Sequence, residues 1–145
     1  IGWMAQATPQ VPVPRAGNGL ARRTTLGVLV AIIALLGTQA VVDMADIAIG
    51  ATGAMSPFSA WALVGSTIAA GAGAALAYAV VNRFTARPVR NFVAIAAAVC
   101  LVMLVPVLAG APAMGITPTG QGLLVAYHLI VAVPLTAFVV GALGR

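Results

Sequence analysis

The chain has 145 residues and a formal net charge of +5, with 62% hydrophobic and only 6% charged residues. An ordinary soluble domain holds about 45–50% apolar and about 25% charged residues. So few charges cannot cover the apolar surface of a soluble fold, and the composition therefore excludes a water-soluble globule, a disordered chain and a disulfide scaffold, and predicts an integral membrane protein.

The first segment, residues 1–20, contains three prolines and no apolar run long enough to cross a bilayer. We expect an extended or disordered tail there. Residues 21–145 are predicted to form a single transmembrane domain.

Four apolar segments follow the tail, separated by turn-rich stretches. A helix needs about 20 residues to cross a hydrocarbon core, and each segment reaches or approaches that length. The predicted fold is therefore all-α, an integral membrane four-helix bundle. The expected spans are residues 26–49, 60–81, 92–109 and 122–143.

The first apolar segment contains a polar stripe formed by Gln39, Asp43 and Asp46. Spacings of four and three place these side chains on one helical face. A carboxylate in the bilayer is costly, so the stripe should face protein, water or a partner, or, for Asp46, the solvated end of the helix. The alternative for this segment is a cleavable signal peptide, with Arg22 and Arg23 before its apolar run.

The second segment carries small residues at every fourth position: Gly65, Ala69, Gly73 and Ala77. Such a row lets another backbone come close, which drives helix association in lipid. The contact could be with neighbouring helices of the same chain, or with a second molecule. Trp61 in this segment and Tyr127 in the fourth fit an aromatic belt at the outer interface.

The cations are all arginines, and they fall in alternate connections. Arg15, Arg22 and Arg23 lie at the start of the chain, before or at the beginning of the first span, and Arg145 is its last residue. Three more arginines lie in the second loop: Arg83, Arg87 and Arg90. By the positive-inside rule both termini should be cytoplasmic and the protein should lie in the plasma membrane. The same positions argue against nucleic-acid binding.

The fourth segment holds the only histidine, His128, near the expected depth of Asp43. We expect an Asp43–His128 contact that joins the first and fourth helices. The alternative is a hydrogen bond from His128 to a backbone carbonyl or to Gln39.

The sequence lacks the motifs of membrane enzymes and metal sites. It has one histidine, one cysteine and no Walker loop, so we expect no enzyme activity, no metal and no cofactor. 

The Arg-rich loop (Arg83, Arg87, Arg90) and the His128-Leu129-Ile130-Val131 run resemble uncharacterised four-span membrane proteins of GC-rich actinobacteria, a domain of unknown function. The resemblance spans about residues 21–143 and implies topology without an activity.

The sequence thus predicts a small non-catalytic membrane protein, an accessory or structural subunit or a homo-oligomer. Its expected partners are the lipid bilayer and other membrane subunits or itself. The alternative is a proton- or ion-coupled transporter or channel that uses Gln39, Asp43, Asp46 and His128.

Overall fold

The computed structural model describes residues 16–51, 53 and 55–142. It contains four long helices, confirming the predicted all-α fold, and each is long and apolar enough to cross a membrane. A short 3₁₀ helix, Ala111–Met114, precedes the last of them. The helices are α1 (Ala16–Met44), α2 (Ala60–Phe84), α3 (Pro88–Ala109) and α4 (Pro118–Val139).

The bounds of α1 differ from the predicted span at both ends. The helix begins at Ala16, within the segment predicted as a tail, and it ends at Met44 rather than near Ile49. The rest of that predicted tail, residues 1–15, lies outside the described residues.

The end of α1 is set by Asp46, whose backbone is left-handed with φ 54°. The Ile47 N–H donates to the Val42 carbonyl at 3.2 Å, and the Asp46 N–H donates to the Asp43 carbonyl at 3.2 Å. This pair of bonds is a Schellman motif, which satisfies carbonyls that the helix leaves free at its end. 

The starts of the other helices follow local capping rules. The Ser59 hydroxyl accepts a hydrogen bond from the Ala62 N–H at the start of α2, and the Thr117 hydroxyl accepts one from the Gly120 N–H at the start of α4. Pro88 and Pro118 occupy first-turn positions, where a missing N–H costs nothing. The bounds of α2, α3 and α4 match the predicted spans to within about four residues.

At one end of the bundle the arginine-bearing connections come together; we call this the basic end. Phe92 at the start of α3 packs with Leu135 and Val139 near the end of α4, and Leu20 of α1 and Tyr78 of α2 lie against them. The Tyr78 and Phe92 rings meet edge to face at 5.5 Å. Arg22, Arg23, Arg83, Arg87 and Arg90 therefore share this end. Arg15 and Arg145 lie outside the described residues.

The α1–α2 and α3–α4 connections meet at the opposite end, which we call the loop end. The Thr117 N–H donates to the Ile49 carbonyl at 3.1 Å, and the Thr117 hydroxyl donates to the Ala48 carbonyl at 2.7 Å. Gly120 allows this close approach, because a Cβ there would stand 2.5 Å from the Ile49 carbonyl oxygen. The two loops therefore hold each other in place.

The helices expose much of their apolar surface, as lipid-facing helices do. In α3 only 11% of the most apolar window is buried, and its buried residues are Phe92 and Val107, near its two ends. The middle of α3 therefore makes little close contact with the rest of the bundle.

Candidate functional site

Three polar side chains of α1 and α4 form a hydrogen-bonded series, which we call the polar chain. The Tyr127 hydroxyl donates to Gln39 Oε1 at 2.7 Å, and Gln39 Nε2 donates to Asp43 Oδ1 at 3.0 Å. Tyr127 and Gln39 are 4% and 8% exposed, whereas Asp43 is exposed. The polar chain thus links an accessible carboxylate to the interface between α1 and α4.

A cavity of about 360 Å³ lies beside the exposed end of the polar chain. Gln39 and Asp43 line it together with Ser56, Phe58 and Ser59 from the α1–α2 connection. The serine hydroxyls have structural roles: Ser56 donates to the Ala51 carbonyl at 3.1 Å, and Ser59 caps α2. Asp43 is therefore the charged group that this cavity offers to a ligand or to water.

The expected Asp43–His128 contact is not formed. Among the described residues no salt bridge joins Asp43 to His128, and His128 Nδ1 instead lies 2.7 Å from the Leu124 carbonyl oxygen of its own helix. This is the alternative arrangement, in which the imidazole bonds to a backbone carbonyl. The two residues line different cavities, so α4 presents Tyr127, not His128, to α1.

Tyr127 is the site residue that sequence reasoning missed. Its assignment to an interfacial aromatic belt is wrong, because the ring is buried and packs edge to face against Phe58 at 6.1 Å. A buried tyrosine requires a partner for its hydroxyl, and the glutamine of the polar stripe supplies it. The sequence could have indicated this contact, because it places a polar stripe on one apolar helix and a tyrosine, which needs a hydrogen-bond partner when buried, on another.

Asp46 does not belong to the helical face of Gln39 and Asp43. It lies beyond the end of α1 in the left-handed conformation, and it is exposed. Its position accords with the expectation of a solvated helix end.

The small-residue row of α2 turns away from α1. The buried residues of α2 are Leu63, Thr67, Gly71 and Val81, and Gly71 lies against Val28 of α1. Gly65, Ala69 and Gly73 are exposed, and a Cβ at either glycine would meet nothing within 4 Å. Ala77 is partly buried. Within the described residues, the exposed part of this row has no helix packed on it.

A second and larger cavity, about 590 Å³, opens between α2, α3 and α4; we call it the cleft. Its walls are mostly apolar, and they include Gly73 and Ala77 of the small-residue row. His128, Thr136 and Cys100 also line it. The residues of α3 that line the cleft lie mainly in the poorly buried middle of that helix.

No metal site is apparent in the described part of the chain, where no three His, Cys, Asp or Glu side chains gather. The cations have other roles. Arg23 Nε donates to the Val139 carbonyl at 3.2 Å, near the end of α4, where a cation also complements the helix dipole. The Arg83 guanidinium lies 5.7 Å from the centre of the Phe84 ring.

Comparison with known proteins identifies a family but no characterised relative. No curated protein and no solved structure matches the chain. The model of a family of unknown function, DUF6069, matches residues 15–145, which include all four helices, the polar chain and the cleft. The chain therefore belongs to the DUF6069 family.

Proposed function

We propose that the protein is a non-catalytic membrane subunit that associates with a second transmembrane partner, either another copy of itself or a different subunit. The observation that carries the proposal is the exposed part of the row outside the cleft, Gly65 and Ala69 on α2, with open space at Gly65.

The physical reason lies in how helices associate in lipid. Because lipid tails are as apolar as leucine, burying apolar surface provides no drive, and close backbone packing over small residues supplies the attraction instead. Thr67 and Gly71 already serve the contact of α2 within the bundle, and Gly73 lines the cleft, so Gly65 and Ala69 remain for a second helix.

The test is association of two differently tagged copies in mild detergent and in liposomes. We expect the wild-type copies to co-purify, or the protein to co-purify stoichiometrically with one other membrane subunit. Gly65→Leu should weaken that association at least tenfold, because the side chain would hold the backbones apart.

The matched control is Ala98→Leu, which adds a side chain to an exposed position of α3 outside the row. It should leave association unchanged. A wild-type protein that is monomeric and partnerless, or an equal effect of both substitutions, would count against the proposal.

A second candidate is a small proton- or ion-coupled transporter or channel, which the polar chain and its adjoining cavity favour. Tyr127, Gln39 and Asp43 connect the cavity at the loop end to the interior of the bundle. Flux into liposomes that collapses in Asp43→Asn, and persists in Asp46→Asn, would support this function. Equal leak in all three proteins would exclude it.

We further infer that the protein lies in the plasma membrane of a bacterium with a GC-rich genome, with both termini in the cytoplasm. The exclusive use of Arg over Lys, together with abundant Ala and Gly, supports the source. The gathering of arginines at the basic end supports the orientation.

A further inference from the structure

The cleft between α2, α3 and α4 lies along the membrane-spanning parts of the helices. It extends from Leu63 and Met103 near the loop end to Phe92 and Leu135 near the basic end. Its volume, about 590 Å³, falls within the range of about 300–1,000 Å³ that is typical of small-molecule sites. Because its walls are mostly apolar, a molecule that fills the cleft must be apolar over most of its length.

Most polar groups at the walls are already engaged. The Thr67 hydroxyl donates to the Leu63 carbonyl at 2.6 Å, and Ser66 donates to the Ala62 carbonyl. The Tyr127 hydroxyl is engaged by Gln39. None of these hydroxyls has a proton left to donate, and the oxygens of Thr67 and Tyr127 are buried, so Ser66 is the one of them that keeps an accessible acceptor lone pair.

His128 is different, because one of its ring nitrogens is left over. A carbonyl oxygen can only accept, so the Nδ1 atom beside the Leu124 carbonyl carries the proton. In the neutral ring Nε2 is then an acceptor. Nε2 of His128 has no hydrogen-bond partner within the described residues. Among them, Thr24 Oγ1 is the one unpartnered side-chain polar atom that is fully enclosed, so Nε2 is accessible.

Two other groups at the walls have no hydrogen-bond partner within the described residues: the Thr136 hydroxyl and the Cys100 thiol. Thr136 lies two helical turns from His128 toward the basic end, about 12 Å along α4. The thiol is a weak donor and acceptor, but it is a useful chemical reporter of occupancy.

We propose that the cleft binds a hydroxylated lipid from the bilayer, whose hydroxyl donates a hydrogen bond to Nε2 of His128 while its hydrocarbon chain fills the apolar walls. His128 is ten residues from the first residue of α4, about 15 Å along the helix and near its middle. At that depth hydrocarbon offers a hydroxyl no partner, so an acceptor there discriminates in favour of a hydroxylated chain.

The occupant is a lipid because of where the cleft opens. Its walls belong to helices that span the membrane, and the flanking residues Val99 and Met103 of α3 are exposed on the lipid-facing surface. Hydrocarbon chains are therefore the molecules present at the opening at high concentration. The acceptor then selects among them.

The test uses the rate at which a membrane-permeable maleimide modifies Cys100 in the full chain, reconstituted in saturated phosphatidylcholine liposomes at alkaline pH, because only the thiolate reacts. The probes are methyl hydroxystearate with its hydroxyl at mid-chain and methyl stearate, which lacks it. We expect both esters to slow labelling, and the hydroxylated ester to bind about fivefold more tightly, as one hydrogen bond provides.

Substitution of His128 assigns the hydrogen bond. His128→Phe keeps an aromatic ring but removes the acceptor, so it should abolish the preference for the hydroxylated ester while both esters still slow labelling. Thr136→Val, a matched change at the other free polar group, should keep the preference. Circular dichroism of both variants checks that the helices are retained.

Three results would overturn the proposal. The two esters could slow labelling of the wild-type protein equally, or the preference could survive His128→Phe, whatever its fate in Thr136→Val. The third result is that Cys100 stays unreactive without any added lipid and also forms a cross-link to a second chain. That result would show that a protein helix occupies the cleft.

Discussion

Thr24 and Thr38 lie on the same helix, and their hydroxyl groups have opposite environments. Thr38 Oγ1 donates to the Ala34 carbonyl at 2.7 Å, the usual bond from a helical threonine to its own backbone. Thr24 Oγ1 is enclosed between α1 and α2 without a partner, and the residue is 8% exposed. A buried hydroxyl in this state lowers the stability of the fold.

We expect Thr24→Val to raise the free energy of unfolding by about 1 kcal/mol, because it replaces the unpaired hydroxyl by a methyl group of the same shape. The measurement is the thermal midpoint in mild detergent. Thr38→Val is the control and should change the midpoint little. A lower midpoint for Thr24→Val would mean that its hydroxyl has a partner.

Asp46 gives a second test at the scale of one residue. Its left-handed backbone ends α1, and glycine adopts that conformation without the steric cost that a Cβ brings. Asp46→Gly should therefore stabilise the protein by about 1 kcal/mol, whereas Asp46→Ala keeps the Cβ and should not. Thermal midpoints that rise equally in both variants would contradict the capping role.

At the scale of the elements, the polar chain joins α1 to α4 inside an otherwise apolar interface. Leu35 and Val42 of α1 and Ile49 of the loop after it pack with Phe58, Ile116 and Tyr127 in one buried cluster. Hydrogen bonds within such a cluster fix which faces of the two helices meet, because an unpaired polar group there is costly.

Tyr127→Phe should cost about 1–2 kcal/mol of stability, because it leaves Gln39 Oε1 buried without its donor. In the Gln39→Leu background, where that acceptor is gone, the same substitution should cost much less. The measurement is a double-mutant cycle of unfolding free energies. Additive effects would show that the two side chains do not interact.

Two glycines near the start of α4 test the contact between the loops. Alanine ordinarily stabilises a helix over glycine by about 1 kcal/mol. A Cβ at Gly122 meets nothing within 4 Å, so Gly122→Ala should be neutral or stabilising. A Cβ at Gly120 would meet the Ile49 carbonyl oxygen at 2.5 Å, so Gly120→Ala should lower the thermal midpoint by several degrees. Similar thermal midpoints for the two variants would mean that the two loops are not in contact.

At the scale of the whole molecule, the antiparallel connections bring the basic segments to one end and the two other loops to the opposite end. Phe92, Tyr78, Leu135 and Leu20 come from four different helices and lie together at the basic end. By the positive-inside rule we propose that this end faces the cytoplasm.

Single-cysteine labelling tests that orientation. In a Cys100→Ala background, an impermeant maleimide should modify Met55→Cys in intact cells and Arg87→Cys only after permeabilisation. Both parent side chains are exposed, at opposite ends of the bundle. The reverse labelling pattern would mean that the protein has the opposite orientation in the membrane. Labelling of both cysteines in intact cells would contradict the four-span topology.

The four spans could be predicted from composition and segment length alone. The starts of α2, α3 and α4 lie at the local caps Ser59, Pro88 and Thr117, and α3 and α4 begin about four residues before the predicted spans, because their first turns extend beyond the apolar runs. The end of α1 could not be predicted as well, because the apolar run continues to Ile49 while Asp46 terminates the helix with a left-handed turn. 

By itself, the sequence determined that the chain forms four lipid-facing helices, because hydrocarbon requires every backbone group to bond within its own segment. It also determined which connections share an end, because four helices must alternate in direction. Only the tertiary structure decided that Gln39 bonds to Tyr127, that His128 faces the cleft, and that Gly65 and Gly73 are left open. The rotation of each helix about its axis depends on packing with its neighbours, and a helix that is apolar on nearly every side carries little periodicity to predict it.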